Sequence, residues 1–499
     1  FPFFAFLFAD LHAHMIAMPF ALLAFGLALS LFFRAGQRRP SLETWGVVAV
    51  LGVTVGALRV INTWDFPTAL LLAALLITGG ELLYGRDRPA RAMLASAGKL
   101  IVIVVAGYVF FLPFHRNFEL FNNGVEMSLT RTEVWRYLSV HSVFLVAVLG
   151  WLAFEWRDAM RTGRRAFLEL SRGAGADGYL LAGLSVLVAA TVVALTVSGY
   201  GTVAFVTALA ALVIVATALV LATERERAAY VLPAVAAALV ALLLGAAVEV
   251  WTVKGDIGRQ NTVFKFYFHA WALFGLAAAY FLWLLGVNGN LSVRRMSLPR
   301  GIWLAGLAVL AAGAMVYPAL GTRDRLADRF DTSWRSLDGM EYMRRAVHFE
   351  NGALLSLRHD YEAIRWLQEN VDGSPVIIEG LTDQYHWGNR VSVYTGLPAV
   401  VGWDWHQRQQ RVAFAYAVTA RRDEVNRFFT DGSVPEAVRT LNRYGVRYVY
   451  IGELEKVTYP ADGLAKFEQM AAEGLTPVYR NEEVTIYEYR PAQTITAGR

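Results

Sequence analysis

Long apolar stretches separated by short polar loops fill the first two thirds of the chain. A membrane-spanning helix needs about 20 mostly apolar residues, and ten stretches approach that length. They lie at 15–33, 45–61, 66–84, 98–114, 137–154, 178–197, 200–222, 228–248, 264–286 and 301–318. The pattern therefore predicts a mainly α, polytopic membrane domain over residues 1–318, with ten transmembrane helices.

The pattern changes after this domain, where charged residues become frequent and amphipathic segments replace the apolar ones. The segment "DYEAIRWLQENV" has the apolar spacing of a helix. "SPVIIEG" and "VRYVYIG" are typical of short buried strands, and "VPEAVRTLNRYG" is typical of a helix that ends at a glycine. This alternation predicts a small α/β domain over residues 319–499.

The placement of Lys and Arg indicates an orientation in the membrane. Alternate loops hold 17 and 7 of these residues, and the poorer set contains the longer loops. Because cytoplasmic loops carry an excess of Lys and Arg, the chain is predicted to be a multi-pass protein of the cell membrane. Residues 1–14 and the C-terminal domain are then extracytoplasmic. The same distribution accounts for the net charge of +5 without a nucleic-acid partner.

The composition narrows the chemistry. Hydrophobic residues make up 56% of the chain and charged residues only 17%, whereas soluble domains carry about 25% charged residues. The chain has no cysteine, which excludes disulfides, thiolate metal sites and a thiol nucleophile. The chain starts at Phe1 without the features of a signal peptide, so we expect further sequence upstream, such as another span.

Three ionisable residues stand directly before the first apolar stretch, in the sequence "DLHAH" at 10–14. A helical or an extended backbone brings Asp10 and His14 to one face, and an extended backbone adds His12. One use of such a set is a divalent metal site for Mg, Mn or Zn, with Asp10 and His14 as ligands. Another is a catalytic carboxylate base with an imidazole beside it. The alternative is that these residues only mark the membrane–water interface.

Two more polar junctions are predicted on the same side. Asp65 in "NTWDFP" is either a second carboxylate of the same cavity or part of an interfacial turn. Farther along, Arg259 can hold a phosphate through two hydrogen bonds, and Lys265 can add a point charge. The further candidates for substrate or phosphate binding at this junction are Asp256, Asn261 and His269. The alternative is a solvated loop with snorkelling basic side chains.

Aromatic and polar residues also concentrate in the C-terminal domain, at 385–411. Trp403 and His406 are the candidates there for contact with an acceptor or a lipid headgroup. The alternative is an aromatic surface that docks this domain onto the membrane domain.

Six ordered motifs resemble those of the YYY-domain (Chlor_Arch_YYY) family of uncharacterised membrane proteins. The resemblance extends from Phe1 to about Ile451. The motifs are "FPFFAFLFADLHAHMIAMPF", "INTWDFPT", "GDIGRQNTVFKFYFHAW", "SLDGMEYM", "DYEAIRWLQENVDGSPVIIEG" and "VSVYTGLPAVVGWDWHQRQQR". This family is similar in turn to the GT-C glycosyltransferases, which are multispanning enzymes with external active sites.

The resemblance implies transfer of a sugar from a polyprenyl-phosphate carrier to a glycan, lipid or protein acceptor on the extracytoplasmic face. Asp10 then matches the essential acid of the first external loop, and His12 and His14 position a phosphate or a metal. The paired acidic motifs of metal-dependent members are not plainly present. A lipid or polysaccharide transporter or flippase, and a metal-dependent hydrolase of lipid-linked substrates, are the alternative functions.

Overall fold

The computed structural model describes two compact units, Phe1–Phe330 and Asp331–Arg499. The described residues are 2–8, 12–36, 40–85, 88–118, 124–172, 176–223, 225–254, 258–287, 297–330 and 335–491. The last apolar helix continues to Arg329, so the division between the units lies after the predicted boundary at residue 318.

The first unit is almost entirely helical. Its helices are α1 (Phe3–Phe8), α2 (Ala13–Phe33), α3 (Leu42–Ile61), α4 (Asp65–Tyr84), α5 (Pro89–Val109), α6 (Leu112–Asn117), α7 (Val134–Arg172), α8 (Ala176–Val197), α9 (Gly201–Thr223), α10 (Arg225–Val250), α11 (Gly258–Val287) and α12 (Leu298–Arg329). Two short strands, β1 (Val125–Met127) and β2 (Trp251–Val253), pair antiparallel.

The predicted apolar stretches lie within these helices to within one residue, except that the stretch 98–114 extends from α5 across Phe110 and Phe111 into α6. Nine helices within the described ranges are long and apolar enough to cross a membrane. The remaining stretch belongs to α8, of which only Gly183–Val197 enters that comparison and is shorter than a full span. The prediction of a mainly helical, multi-pass membrane protein is therefore confirmed.

Small residues allow a close approach between α3 and α5. A side chain at Gly56 of α3 would place its Cβ 2.5 Å from the carbonyl oxygen of Gly107 in α5. Gly52, one turn earlier, faces the same helix, where its Cβ would lie 2.8 Å from that of Ala106. Such small residues let membrane helices approach backbone to backbone. An alanine at Gly56 would force α3 and α5 apart.

The second unit contains helices around a four-stranded mixed sheet. Its helices are α13 (Leu357–Asn370), α14 (Arg390–Thr395), α15 (Asp404–Gln410), α16 (Ala415–Thr430), α17 (Val434–Tyr444), α18 (Glu453–Thr458) and α19 (Ala461–Ala465). Its strands are β3 (Val347–Glu350), β4 (Ala353–Ser356), β5 (Val376–Ile378), β6 (Val446–Ile451), β7 (Leu475–Arg480) and β8 (Thr485–Tyr489). The sheet order is β5-β6-β8-β7, with β5 and β6 parallel and the other pairs antiparallel.

Local sequence signals explain these elements. Ala363, Ile364 and Leu367 of α13 are buried, as the helical spacing predicts. Ser433 caps the start of helix α17, where its hydroxyl accepts a hydrogen bond from the backbone N–H of Glu436. Gly445 caps the end of the helix in the left-handed conformation, with φ 60°. A glycine adopts that conformation without the steric penalty that a Cβ brings.

A fully buried arginine organises the core of the second unit. Arg390 donates to Asp360 at 2.6 Å and to both carboxylate oxygens of Glu455 at 3.1 and 2.9 Å. Tyr450 and Trp387 also donate to Asp360, at 2.7 and 2.8 Å. Every carboxylate oxygen of Asp360 and Glu455 therefore accepts at least one hydrogen bond. Buried ionic groups are tolerated when hydrogen bonds satisfy them in this way.

Candidate functional site

Helices α2, α4 and α11 meet around an apolar groove that has ionisable side chains in its wall. One residue comes from each helix: His14 from α2, Asp65 from α4 and His269 from α11. Charged groups are costly at membrane depth and usually mark a functional site there. The sequence placed these three residues on the same predicted side of the membrane, and the structure brings them to one groove.

Asp65 is the first residue of α4 and is buried at 3% exposure. Its Oδ1 contacts Nε2 of His269, whose side chain is 10% exposed. The N-terminus of a helix stabilises a negative charge through its unsatisfied N–H groups. The pair therefore joins a carboxylate whose negative charge is stabilised by the helix N-terminus to an imidazole. A carboxylate–imidazole pair of this kind can accept or donate a proton.

His14 lies in the first turn of α2 and is 6% exposed. Phe264 and Phe268 of α11 meet its ring edge-on, each at a centroid distance of 4.9 Å. The exposed ring of His12 lies 5.1 Å from that of His14. The aromatic contacts fix the orientation of His14 at the groove, and His12 extends the polar surface outward from it.

Apolar side chains form the rest of the groove, which encloses a cavity of about 50 Å³. The apolar lining consists of Met18, Ala21, Leu22, Ala24, Phe25, Ala69, Leu72, Ala73, Phe268, Ala272, Leu273 and Leu276. Thr68 is the remaining polar residue of the wall. The groove thus offers a ligand an apolar wall with a small group of ionisable side chains in it.

Arg259, which the sequence predicts as a phosphate ligand, is paired with a carboxylate of its own unit. Its Nη2 donates to Glu249 at 2.6 Å and to the hydroxyl of Thr132 at 2.9 Å, and its Nε donates to the carbonyl of Val248 at 3.2 Å. Glu249 is buried at 1% exposure and also accepts from the backbone N–H of Thr132 at 2.7 Å. This ion pair ties the start of α11 to the end of α10 and to the segment before α7.

The other candidates of the α11 junction are half-buried or lie outside the described residues. Lys265 and Asn261 are half-buried on α11. Lys265 precedes His269 by four residues and so shares its face of the helix. Asp10 and Asp256 lie outside the described residues, so their predicted roles as catalytic and binding residues stay predictions.

Trp403 and His406 belong to the second unit. Tyr385 links them: its hydroxyl lies 3.0 Å from Nδ1 of His406, and its ring centroid lies 5.2 Å from that of Trp403. Helix α15 carries His406 and begins directly after Trp403. The two residues thus belong to one local aromatic cluster.

A metal ion needs several converging ligands. Within the described part of the chain, no group of three His, Asp or Glu side chains has the arrangement of a metal site. Asp10, one of the two predicted ligands, lies outside that part. A divalent metal at Asp10 and His14 stays a prediction, and no chemical step is assigned to it.

Sequence reasoning missed Arg59 as a candidate. Arg59 lies in the last turn of α3, with its guanidinium 5.5 Å from the ring centroid of Phe66, next to Asp65 in the chain. Among the described residues it forms no ion pair within 4.0 Å. One sequence feature could have identified it, because Arg59 is the only Lys or Arg in the segment 59–67.

The fold and the groove define a multi-pass membrane protein with buried ionisable side chains at the end of apolar helices. The chain belongs to the uncharacterized membrane protein family DUF2298, which matches residues 1–274. That match includes His14, Asp65 and His269. No curated protein matches the chain. Its membrane character is confirmed, and its resemblance to YYY-domain proteins and to GT-C enzymes stays a prediction.

Proposed function

We propose that this protein is a GT-C-like glycosyltransferase that moves a sugar from a polyprenyl-phosphate carrier to an acceptor on the extracytoplasmic face of the cell membrane. One observation carries the proposal: the buried Asp65–His269 pair and His14 lie in the wall of an apolar groove. An isoprenoid chain fits the apolar wall, and the sugar phosphate fits the ionisable wall. Such a lipid has the two kinds of surface that the groove offers.

The proposed reaction forms one bond and breaks one. An acceptor hydroxyl attacks the anomeric carbon of the sugar, and the bond from that carbon to the carrier phosphate breaks. The bonding electrons leave with the polyprenyl phosphate, and the hydroxyl proton passes to the Asp65–His269 pair. Asp10, the general base predicted from the sequence, is the second candidate for this step.

The leaving phosphate gains negative charge and needs cationic or hydrogen-bonding partners. Arg59 and Lys265 are the proposed partners, since both lie on helices next to the Asp65–His269 pair. Arg259 is assigned a structural role because its guanidinium binds Glu249. His12 and His14 complete the proposed polar surface around the sugar phosphate.

The test is sugar transfer in proteoliposomes that contain the full chain, a labelled polyprenyl-phosphate sugar and membrane extract as the source of acceptors. Asp65→Asn and His269→Gln are expected to lower the rate by about 100-fold or more, the usual effect of losing a proton-transfer group. Asp324→Asn, at an exposed position of α12, is the matched control and keeps the wild-type rate.

Full activity in Asp65→Asn and His269→Gln would contradict the assignment of this pair to the chemistry. Sugar released to water without any acceptor product would replace the transferase by a hydrolase of lipid-linked sugars. Added chelator reports in the same assay whether a divalent metal takes part.

A second function, lipid transport or flipping, gains support from the opposite end of α4. Glu81 and Lys99 form a buried ion pair there, with Oε1 and Nζ 2.5 Å apart. Asp65 and Glu81 are both buried residues of α4, and their separation in the sequence places them about 24 Å apart along the helix axis. Charged groups near both ends of one helix are compatible with a transport path. A fluorescent-lipid flipping assay with wild type and Glu81→Gln tests this function, because only a flippase moves lipid without consuming a sugar donor.

A further inference from the structure

The second unit contains a polar pocket whose lining residues all belong to that unit. It encloses a cavity of about 270 Å³, close to the lower end of the size range of small-molecule sites. Amide, hydroxyl and indole groups dominate its wall, which includes Thr382, Gln384, Asn389, Trp403 and Asn426. Groups of this kind bind hydroxyls and other neutral polar groups by direct hydrogen bonds.

Two buried polar atoms in this wall lack a hydrogen-bond partner among the described residues. Trp403 Nε1 is a donor, and Asn389 Oδ1 is an acceptor. Leaving such groups unpaired costs about 1–3 kcal/mol each, so a native structure that keeps them is expected to use them. A hydroxyl group both donates and accepts, so a compound with neighbouring hydroxyls satisfies both atoms.

The backbone around the pocket is also unusual. Within the described residues, three positions other than glycine have a positive φ: Asn351 at 49°, Tyr385 at 64° and Asn389 at 71°. Asn351 and Asn389 line the pocket, and Tyr385 packs on Trp403. The β3–β4 hairpin accounts for Asn351, because an Asn-Gly turn requires that conformation. No turn of this kind accounts for an aromatic residue at Tyr385, where a positive φ is costly.

That strained position holds an aromatic ring beside the pocket. The ring of Tyr385 is 55% exposed, and its hydroxyl is anchored near His406 at 3.0 Å. Together with Trp403 it forms an aromatic surface next to the polar wall of the pocket. An apolar face joined to hydrogen-bonding groups matches a sugar ring, which has C–H faces and hydroxyl edges.

The lining of the pocket includes more carboxylates than cations. Asp404 is buried and accepts from Gln384 at 2.6 Å, from Arg408 at 2.9 Å and from Arg422 at 3.3 Å. Asp383 adds a second carboxylate to the wall, and Arg422 is the one cation in the described lining. The wall thus has no excess of positive charge for a phosphate. A neutral ligand is favoured.

From these observations we infer that the second unit binds a neutral saccharide in the pocket between Asn389, Trp403 and Gln384. This inference does not depend on the transferase chemistry, because every residue it uses lies in the second unit. The sugar ring packs against Tyr385 and Trp403, and adjacent hydroxyls pair with Trp403 Nε1 and Asn389 Oδ1. A free glycan and the sugar headgroup of a glycolipid offer the same chemistry.

The test is saturation-transfer NMR on the full chain in nanodiscs, with glucose, mannose, galactose and N-acetylglucosamine as probes. At about 10 mM, ligands with millimolar dissociation constants are detected. Wild type is expected to transfer saturation to at least one probe. Trp403→Phe, which keeps a ring but lacks the N–H, and Asn389→Gly, which suits the positive φ, are each expected to weaken binding by about fivefold, the value of one hydrogen bond.

Trp405→Phe is the matched control, because Trp405 is exposed and lies outside the pocket wall. It should bind as wild type does. The inference is overturned if wild type binds none of the four sugars, if Trp405→Phe loses as much affinity as Trp403→Phe, or if inorganic phosphate displaces the bound sugar.

A second arm separates the two sources of the sugar. Nanodiscs that contain a monoglycosyl diacylglycerol are compared with plain nanodiscs in the same experiment. Loss of the free-sugar signal in the glycolipid discs assigns the pocket to a lipid headgroup, and an unchanged signal assigns it to a soluble glycan. Both results support a saccharide site, and neither bears on the Asp65–His269 pair.

Discussion

The two units both bury charged side chains, but they do so in different ways. In the second unit, Arg390 holds Asp360 and Glu455 in a closed set of hydrogen bonds. In the first unit, Asp65 contacts His269, and both residues line a groove. A saturated cluster inside a core stabilises a fold, whereas a small cluster at a cavity wall is free to act on a ligand. The contrast separates structural charge from functional charge.

The largest expected effect is on the Arg390 cluster. Arg390→Ala leaves two buried carboxylates without their cation and should destabilise the second unit by about 3–5 kcal/mol. Hydrogen-exchange protection of peptides from β6 measures that loss in the full chain. Arg439→Ala is the matched control, since Arg439 is exposed and pairs only with exposed Glu436; it should change stability by less than about 1 kcal/mol. Equal protection in the two variants would remove the distinction on which the comparison depends.

A third carboxylate near Arg390 makes the stability of this unit depend on pH. Burial raises the pKa of Glu379 to about 7 from 4.5, although Arg390 and the N–H groups of Ser392 and Val391 oppose the shift. The folded state therefore holds a proton that the unfolded state releases. The stabilisation is complete below pH 4.5 and is lost as the pH rises through about 7.

This loss amounts to about 3 kcal/mol, from the free energy of each pKa unit. Protection of the β6 peptides measured from pH 4.5 to pH 8 gives the profile. Glu379→Gln removes the titrating group and should flatten it. A wild-type profile that rises over this range would show that Glu379 is ionised in the folded state.

Glu249 tests the reassignment of Arg259 in the first unit. Glu249→Gln keeps the shape but removes the charge that Arg259 faces at 2.6 Å. Loss of a charged hydrogen bond in a buried site should cost about 1.5–3 kcal/mol. Thermal unfolding of the full chain in detergent measures this, with Glu133→Gln at a more exposed position as control. If Glu249→Gln keeps its stability but loses donor binding, Arg259 belongs to the phosphate site after all.

The sequence could predict the elements of this protein better than their side-chain partners. Helical spans follow from apolar length alone, and the cap at Gly445 follows from local backbone chemistry. Asp65 and His269 were each predicted as candidates, but no local pattern says that residues on α4 and α11 make contact. The same holds for Arg259, whose fork geometry suits a phosphate and a carboxylate equally well. The sequence could not predict that Arg390 is buried, because a buried arginine is recognised only by the partners that surround it.

Asp65→Asn has the smallest expected effect on stability. Its result tests the contrast between the structural charge of the second unit and the functional charge of the first. Asp65→Asn keeps the size of the side chain and its place at the start of α4. Asn also accepts hydrogen bonds at a helix N-terminus, so the thermal stability of the full chain should fall by less than about 1 kcal/mol. Transfer activity in the proteoliposome assay should nevertheless fall by about 100-fold. A large loss of stability would instead place Asp65 beside Arg390 as a structural charge, and the groove would lose its strongest link to chemistry.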